Sequence, residues 1–329
     1  MTEKTYKTPC GSIHYWVNNS ELSVNNSESY ERTIEFDVHN SELEASAIES
    51  DRQKSGKQEV QAETALVLQE ETAQVLQEET ALVFLPGLTA DHRLFDKQVA
   101  HFKDKCRVLV WDAPAHGASW PFSFDFDLRD KAIWLDGIFQ QEGIRRPIIV
   151  GQSMGGYVGQ MYSQLFPDKL KGFISIDSAP LQRRFVTSME IFLLKKMEPV
   201  YRYYPWKSLL KTGSKGVSTT AYGRQLMHDI MMTYDGAQER YAKISGHGFR
   251  MLAQAMEADL PYEIKCPALL ICGEKDRAGS CIRYSKAWHK HSGIPLVWIK
   301  NAGHNANTDN PEMVNRLIDN LLNEISTKS

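Results

Sequence analysis

From residue 81 onward, short apolar runs alternate with amphipathic stretches. Ala81–Leu85, Arg107–Trp111, Ile148–Val150, Gly172–Ile176, Ala268–Cys272 and Leu296–Ile299 are apolar almost throughout. That is the pattern of strands covered on both faces. Helix-length amphipathic stretches fall between them, at about residues 92–103, 127–142, 154–166, 279–291 and 311–325. Strand and helix in alternation predict an α/β fold, with a mostly parallel sheet and right-handed crossovers. The last helix carries a start signal, Asn310 followed by Pro311. Near the N-terminus, residues 8–18 read as one further strand with partial alternation.

Three segments depart from this rhythm. Residues 180–260 hold no strand pattern, only helical stretches rich in large side chains: Met189–Leu194, Tyr201–Trp206 and Leu226–Met232. A segment of that length between two strands predicts a helical cap above the strand ends. Residues 19–63 are rich in Ser, Asn, Glu and Gln around one alternating island, Thr33–Val38. Asn40–Gln61 has too little apolar content to order itself by burial, so a mobile surface insertion is expected. Residues 64–85 repeat one octad, starting at Thr64, Thr72 and Thr80. Three copies of so short a unit make little core. Only the third runs into a turn, Pro86-Gly87, and it is assigned as the core strand. The predicted organisation is a strand region at 1–18, the insertion at 19–63, an α/β core from 64–179 and 261–329, and the cap at 180–260.

Composition narrows the partners. The 329-residue chain has a formal net charge of -3, which gives no reason to expect nucleic acid or an anionic membrane. No apolar run approaches the roughly 20 residues of a membrane-spanning helix. The N-terminal residues lack the apolar core of a signal peptide, so a cytoplasmic location is expected. The five cysteines include no C-x-x-C pair and are expected to be free thiols, with Cys266 and Cys272 as small buried hydrophobes beside a core strand. No H-E-x-x-H, zinc-type Cys/His spacing or phosphate-binding glycine loop occurs, so neither metal nor cofactor is expected.

The sharpest chemical signal is Gly151-Gln152-Ser153-Met154-Gly155, which follows the strand Ile148–Val150 and precedes a helix. A serine on a tight strand-to-helix turn needs small neighbours two positions away, and Gly151 and Gly155 meet that need. The turn lifts the Ser153 hydroxyl above the sheet and aims the Met154 amide at a developing oxyanion. A serine hydroxyl also needs a base. His304 follows the last strand on a small-residue turn and fits that role best, while His92 and His116 read as polar loop residues, with His116 also a candidate pocket-lining group. The acid that orients the base is expected at Asp276, after Ala268–Cys272, with Asp177 as the alternative position and Glu274 as a structural neighbour. Gly87 permits a close backbone approach after the strand Ala81–Leu85, and the Leu88 amide is the expected second oxyanion donor.

These elements resemble the α/β-hydrolase superfamily over about residues 81–325. The matching segments are Leu85-Pro86-Gly87-Leu88, Trp111–Ser119, Gly151–Gly156, Gly273-Glu274-Lys275-Asp276 and Gly303-His304. The resemblance implies the α/β-hydrolase fold with a cap inserted after the sixth strand, and a serine-nucleophile branch. Two departures stand out: Pro86 replaces the family's usual histidine in the oxyanion loop, and Ala115 replaces a glycine. Ala115 is expected to be tolerated through a negative φ.

Three functions fit. The first is hydrolysis of a small-molecule carboxylic ester through an acyl-enzyme. The second is a serine-triad lyase or carbon–carbon bond hydrolase, for which Arg183, Arg184 and Arg224 are the candidate basic pocket. The third is a ligand-binding protein on a hydrolase scaffold. The first is the reading adopted and the other two are its alternatives, since fold alone does not dictate substrate.

Overall fold

A computed structural model describes residues 1–18 and 80–328. The polar insertion at 19–63, its island Thr33–Val38 and the first two repeat octads fall outside the described residues.

Eight strands form one sheet in the order β1-β2-β4-β3-β5-β6-β7-β8. They are β1 (Thr2–Thr8), β2 (Gly11–Val17), β3 (Ala81–Leu85), β4 (Arg107–Trp111), β5 (Ile148–Gln152), β6 (Gly172–Ile176), β7 (Ala268–Gly273) and β8 (Leu296–Ile299). β3 to β8 are mutually parallel, and β2 runs antiparallel to both β1 and β4. The third repeat octad supplies β3, every residue of which is buried. The N-terminal segment is a hairpin of two strands rather than the single strand expected at 8–18. In β1 the half-buried positions alternate with fully exposed ones, so its pattern is faint. Its turn is short: Gly11, at φ 152°, leaves no room for a side chain against the Phe122 ring.

Helices cover both faces of the sheet. A 3-10 turn at His92–Phe95 leads into α1 (Asp96–Phe102), followed by α2 (Leu128–Gln141) and α3 (Met154–Leu165). After β7 come α9 (Cys281–Ser292), α10 (Ala306–Asp309) and α11 (Pro311–Lys328). Asn310 starts α11 as expected, its Oδ1 accepting from Met313 N at 3.1 Å. One core layer gathers Phe84, Phe95, Phe102 and Ile174 with Val314 and Ile318 of α11. The other packs α2 and α3 against the opposite face through residues such as Leu135, Phe139, Met161 and Tyr162.

Between β6 and β7 run five helices: α4 (Ser188–Lys195), α5 (Met197–Tyr203), α6 (Trp206–Val217), α7 (Ala221–Met232) and α8 (Gln238–Glu257). α8 packs along α4 and α5, and α6 pairs with α7. Two glycines let α8 approach its neighbours closely. A Cβ at Gly246 would lie 2.3 Å from Glu198 Cβ, and one at Gly248 would lie 2.4 Å from Leu88 Cδ1.

Asp309, the last residue of α10, joins this helical segment to the loop after β8. Its carboxylate accepts from Ser218 Oγ, from Thr219 N (2.9 Å), from Thr220 N (3.0 Å) and Oγ1 (2.8 Å), and from Gly303 N (2.8 Å). Burial alone would raise its pKa, but the hydrogen bonds from Ser218, Gly303, Thr219 and Thr220 outweigh it and hold the pKa below 3.8. A lowered folded pKa contributes stability that is complete above the ordinary aspartate value and is lost as pH falls through the folded one. Asp309→Asn is expected to cost about 2 kcal/mol or more at neutral pH, read from urea unfolding. It should also flatten the acid side of the stability–pH curve; an unchanged urea midpoint would remove Asp309 as a link.

Candidate active site

The end of β5 carries Ser153 on a backbone that few residues adopt. Its φ is 48° and its ψ is -114°. The Ser153 N–H donates to Ile176 O at 2.9 Å, which fixes the turn to β6. The turn closes so tightly that a Cβ at Gly151 would lie 2.4 Å from the Gly155 carbonyl, and one at Gly155 would lie 1.9 Å from Leu85 O. Real Cβ atoms do not approach that closely, so the two glycines are sterically required. Gly87 faces the same turn: a side chain there would meet Gln152 Oε1 at 2.3 Å and Ser153 Cβ at 3.2 Å.

The structure brings Ser153, His304 and Asp276 into one chain of hydrogen bonds. Ser153 Oγ and His304 Nε2 lie 2.9 Å apart, and His304 Nδ1 lies 2.9 Å from Asp276 Oδ2. The Asp276 side chain is wholly buried and that of His304 is 13% exposed. Asp276 Oδ1 also accepts from Ala278 N at 2.8 Å. Burial would raise the Asp276 pKa, but the hydrogen bond and charge of His304 lower it. Burial likewise opposes the charged form of His304, yet its bond to Asp276 lifts the imidazole above 6.5 overall. Met154 follows Ser153 directly and Leu88 follows Gly87, whose side-chain position would meet Ser153 Cβ at 3.2 Å; among the described residues neither backbone N–H has a protein acceptor.

Asp177 is held differently. It too has a positive φ, 48°, and it is buried. Its Oδ1 accepts from Gly273 N at 2.7 Å and its Oδ2 from Ala306 N at 2.9 Å. It thereby ties the loop that carries Asp276 to the segment just past His304, without bonding the imidazole. Gln152 is a second tie, one that residue-by-residue reading passed over. Its Nε2 donates to His304 O at 2.9 Å and to Asn305 Oδ1 at 3.1 Å. Its position inside the elbow motif was the only signal. Glu274 is exposed and accepts from Asn301 N at 3.2 Å, a local brace.

Other sequence expectations are corrected. Ala115 has φ 72°, not a negative value, so the alanine sits in the left-handed region that the family glycine occupies without strain. The turn holds it because Asp112 fixes both sides, accepting from His92 N (2.7 Å) and Ala118 N (2.7 Å). His116 lies on its loop but is 3% exposed and lines a crevice, as the alternative expected for it had it, while His92 pairs with Asp112 at 2.9 Å. The three arginines do not form a basic pocket at Ser153. Arg183 bonds Val186 O and Ser188 Oγ, Arg184 bonds the His291 ring, and Arg224 bonds Ser218 O. No disulfide joins any two of the five cysteines; Cys272 is buried as expected, while Cys266 is only half-buried.

Comparison with known proteins gives a consistent result. Residues 82–317 match the model of the alpha/beta hydrolase family. The chain is 20% identical over 253 residues to the 2-(acetamidomethylene)succinate hydrolase of Mesorhizobium japonicum, covering 73% of this chain and 87% of that one. It is 21% identical over 252 residues to 3-oxoadipate enol-lactonase 2 of Acinetobacter baylyi, covering 73% and 88%. Among solved structures, a thermophilic esterase from Thermogutta terrifontis superposes with a TM-score of 0.63 at 19% identity, covering 75% of this chain and 90% of that one. No described helix is long and apolar enough to cross a membrane. With the family model spanning both the elbow and His304, on an eight-stranded sheet of this order, the chain belongs to the alpha/beta hydrolase family.

Proposed function

We propose that the protein is a serine hydrolase that cleaves a carboxylic ester of a small molecule through an acyl-enzyme. One observation carries the reading: the two 2.9 Å hydrogen bonds that link Asp276 to His304 and His304 to Ser153. In this scheme His304 takes the Ser153 proton as Oγ attacks the ester carbonyl. The amides of Leu88 and Met154 receive the oxyanion. His304 then protonates the departing alcohol, and water enters by the same steps to release the acid. Asp276 keeps Nδ1 protonated, leaves Nε2 free to accept, and stabilises the imidazolium that forms.

The relatives support bond cleavage with water over elimination. Both are named as hydrolytic enzymes, and a lactone is itself an internal ester. The succinate and oxoadipate in their names are dicarboxylates, which makes a carboxylate-bearing substrate a reasonable class for this chain. The lyase reading loses its support with Arg183, Arg184 and Arg224 engaged elsewhere. Helices α4 to α8 serve as the cap in this proposal, since Gly248 of α8 lies directly on Leu88.

Two measurements test the proposal. A fluorophosphonate probe should label the protein, and p-nitrophenyl esters of two to twelve carbons should be turned over at some length. Ser153→Ala should abolish labelling and cut turnover by about 10⁴-fold or more. Labelling that persists in the alanine variant would reject Ser153 as the nucleophile. The second test is the pH profile. The base must be neutral to accept a proton, so kcat/KM should rise as pH climbs through a His304 pKa that stands above 6.5. Asp276→Asn should lower kcat by about 10³–10⁴-fold and shift that limb toward lower pH. A limb that stays in place would mean that Asp276 does not set the base.

A further inference from the structure

Beside Leu88 the structure buries a group of basic side chains with no acid among them. Lys131 of α2 is 1% exposed, and among the described residues its ammonium has neither a hydrogen bond nor a carboxylate partner; the nearest compensation is the Phe126 ring, 5.7 Å away. His116 is 3% exposed; its Nδ1 bonds Pro114 O at 2.9 Å, and its Nε2 is buried without a partner. His247 of α8 also has a buried, unpartnered Nε2. These three line one crevice with Leu88 and Phe124. Arg240 adds a second cation at its edge. Its guanidinium lies 4.6 Å over Trp120 and 4.9 Å over Tyr234, reaches Ala115 O at 3.5 Å, and leaves Nε unpartnered.

Such an arrangement is costly. A buried ammonium is stable only when paired, and an unsatisfied buried nitrogen keeps its full desolvation penalty. Burial accordingly pushes Lys131 down to about 7, with no carboxylate near enough to oppose it. His116 is pushed down to about 3, by burial first and then by the charges of Lys131, Arg240 and His247. An anion in the crevice would give Lys131 the counter-charge it lacks.

We infer that the crevice lined by Lys131, His116 and His247 is a subsite for a carboxylate on the substrate, distinct from the carbonyl that meets Ser153. The inference rests on the ester-hydrolase reading above. Leu88 connects the two places, since it bears a candidate oxyanion amide and its side chain forms one wall of the crevice. A carboxylate accepts directly from Lys131, and the negative charge it brings opposes the repulsion that adds to burial in keeping the imidazole Nε2 atoms unprotonated. As it stands the crevice is too narrow even for water, so the anion enters by displacing a wall. Leu88 and Phe124, both half-buried, are the walls with room to move.

The test compares p-nitrophenyl half-esters of succinate, glutarate and adipate with the butyrate, valerate and hexanoate esters of the same chain lengths. At one or more lengths the wild-type protein should give a higher kcat/KM for the anionic ester. Lys131→Met should lower that anionic-to-neutral ratio by about tenfold or more, the worth of one charge-assisted hydrogen bond. Wild-type ratios at or below one for all three pairs, or an unchanged ratio in Lys131→Met, would overturn the inference. If the variant does not fold, the wild-type protein decides. Free succinate, glutarate or adipate should raise its melting temperature while the matching diamides do not, and equal shifts would overturn the subsite. That melting shift needs no turnover, so it still reads the subsite if the ester-hydrolase reading fails.

Discussion

A serine at φ 48° and ψ -114° does not hold itself there; its surroundings must. Three glycines provide the space. Gly151 and Gly155 close on each other across the turn, Gly155 abuts the end of β3, and Gly87 passes against Gln152 and Ser153. The neighbouring strand provides the grip through Ile176 O. The geometry at Ser153 is therefore a property of β3, β5 and β6 packed in register, and it dictates where any partner of the hydroxyl must stand.

The loops that carry those partners are held by buried polar ties and not by regular pairing. Gln152 holds the backbone of His304, Asp177 joins the end of β7 to Ala306, and Asp309 joins Gly303 to the α6–α7 junction. Gln152 and Asp177 are nearly removed from water, Asp309 is half-buried, and each makes two or more hydrogen bonds. A buried group of that kind is expensive to leave unpaired, so the ties position their loops narrowly. Asp177 is the instructive member. It occupies one of the two places where an orienting acid could stand, but both of its oxygens are taken by backbone amides. Only Asp276 has an oxygen left for the imidazole.

The parallel core was legible because its strands are buried on both faces and read as apolar runs. The α/β-hydrolase fold followed from those runs and the motifs between them. Legibility failed where burial was one-sided or close approach replaced side chains. β1 shows only half-buried positions against exposed ones, so it merged with β2. α8 is the longest described helix, yet Gly246 and Gly248 interrupt its pattern, and glycine normally argues against a helix interior. Candidate residues fixed to a strand end, Ser153, Asp276 and His304, could be named from position alone. Gln152, Asp177 and Asp309 act through atoms that meet only after folding, and no local pattern marks such meetings.

Ala115 shows the same limit in reverse. Its sequence suggests a conservative exchange for glycine, but the backbone keeps the positive φ of 72°. An alanine there is strained by about 1 kcal/mol, and the turn retains it because Asp112 is bonded on both sides. The consequence reaches the buried basic group. Residues 112–118 deliver His116 into the crevice, and the Ala115 carbonyl receives Arg240. A turn held rigid against its own strain can keep the His116 Nε2 buried without a partner, which a flexible loop would release to solvent. The Asp112 clamp that fixes the turn thus also fixes where His116 stands, while Lys131 is placed independently by α2.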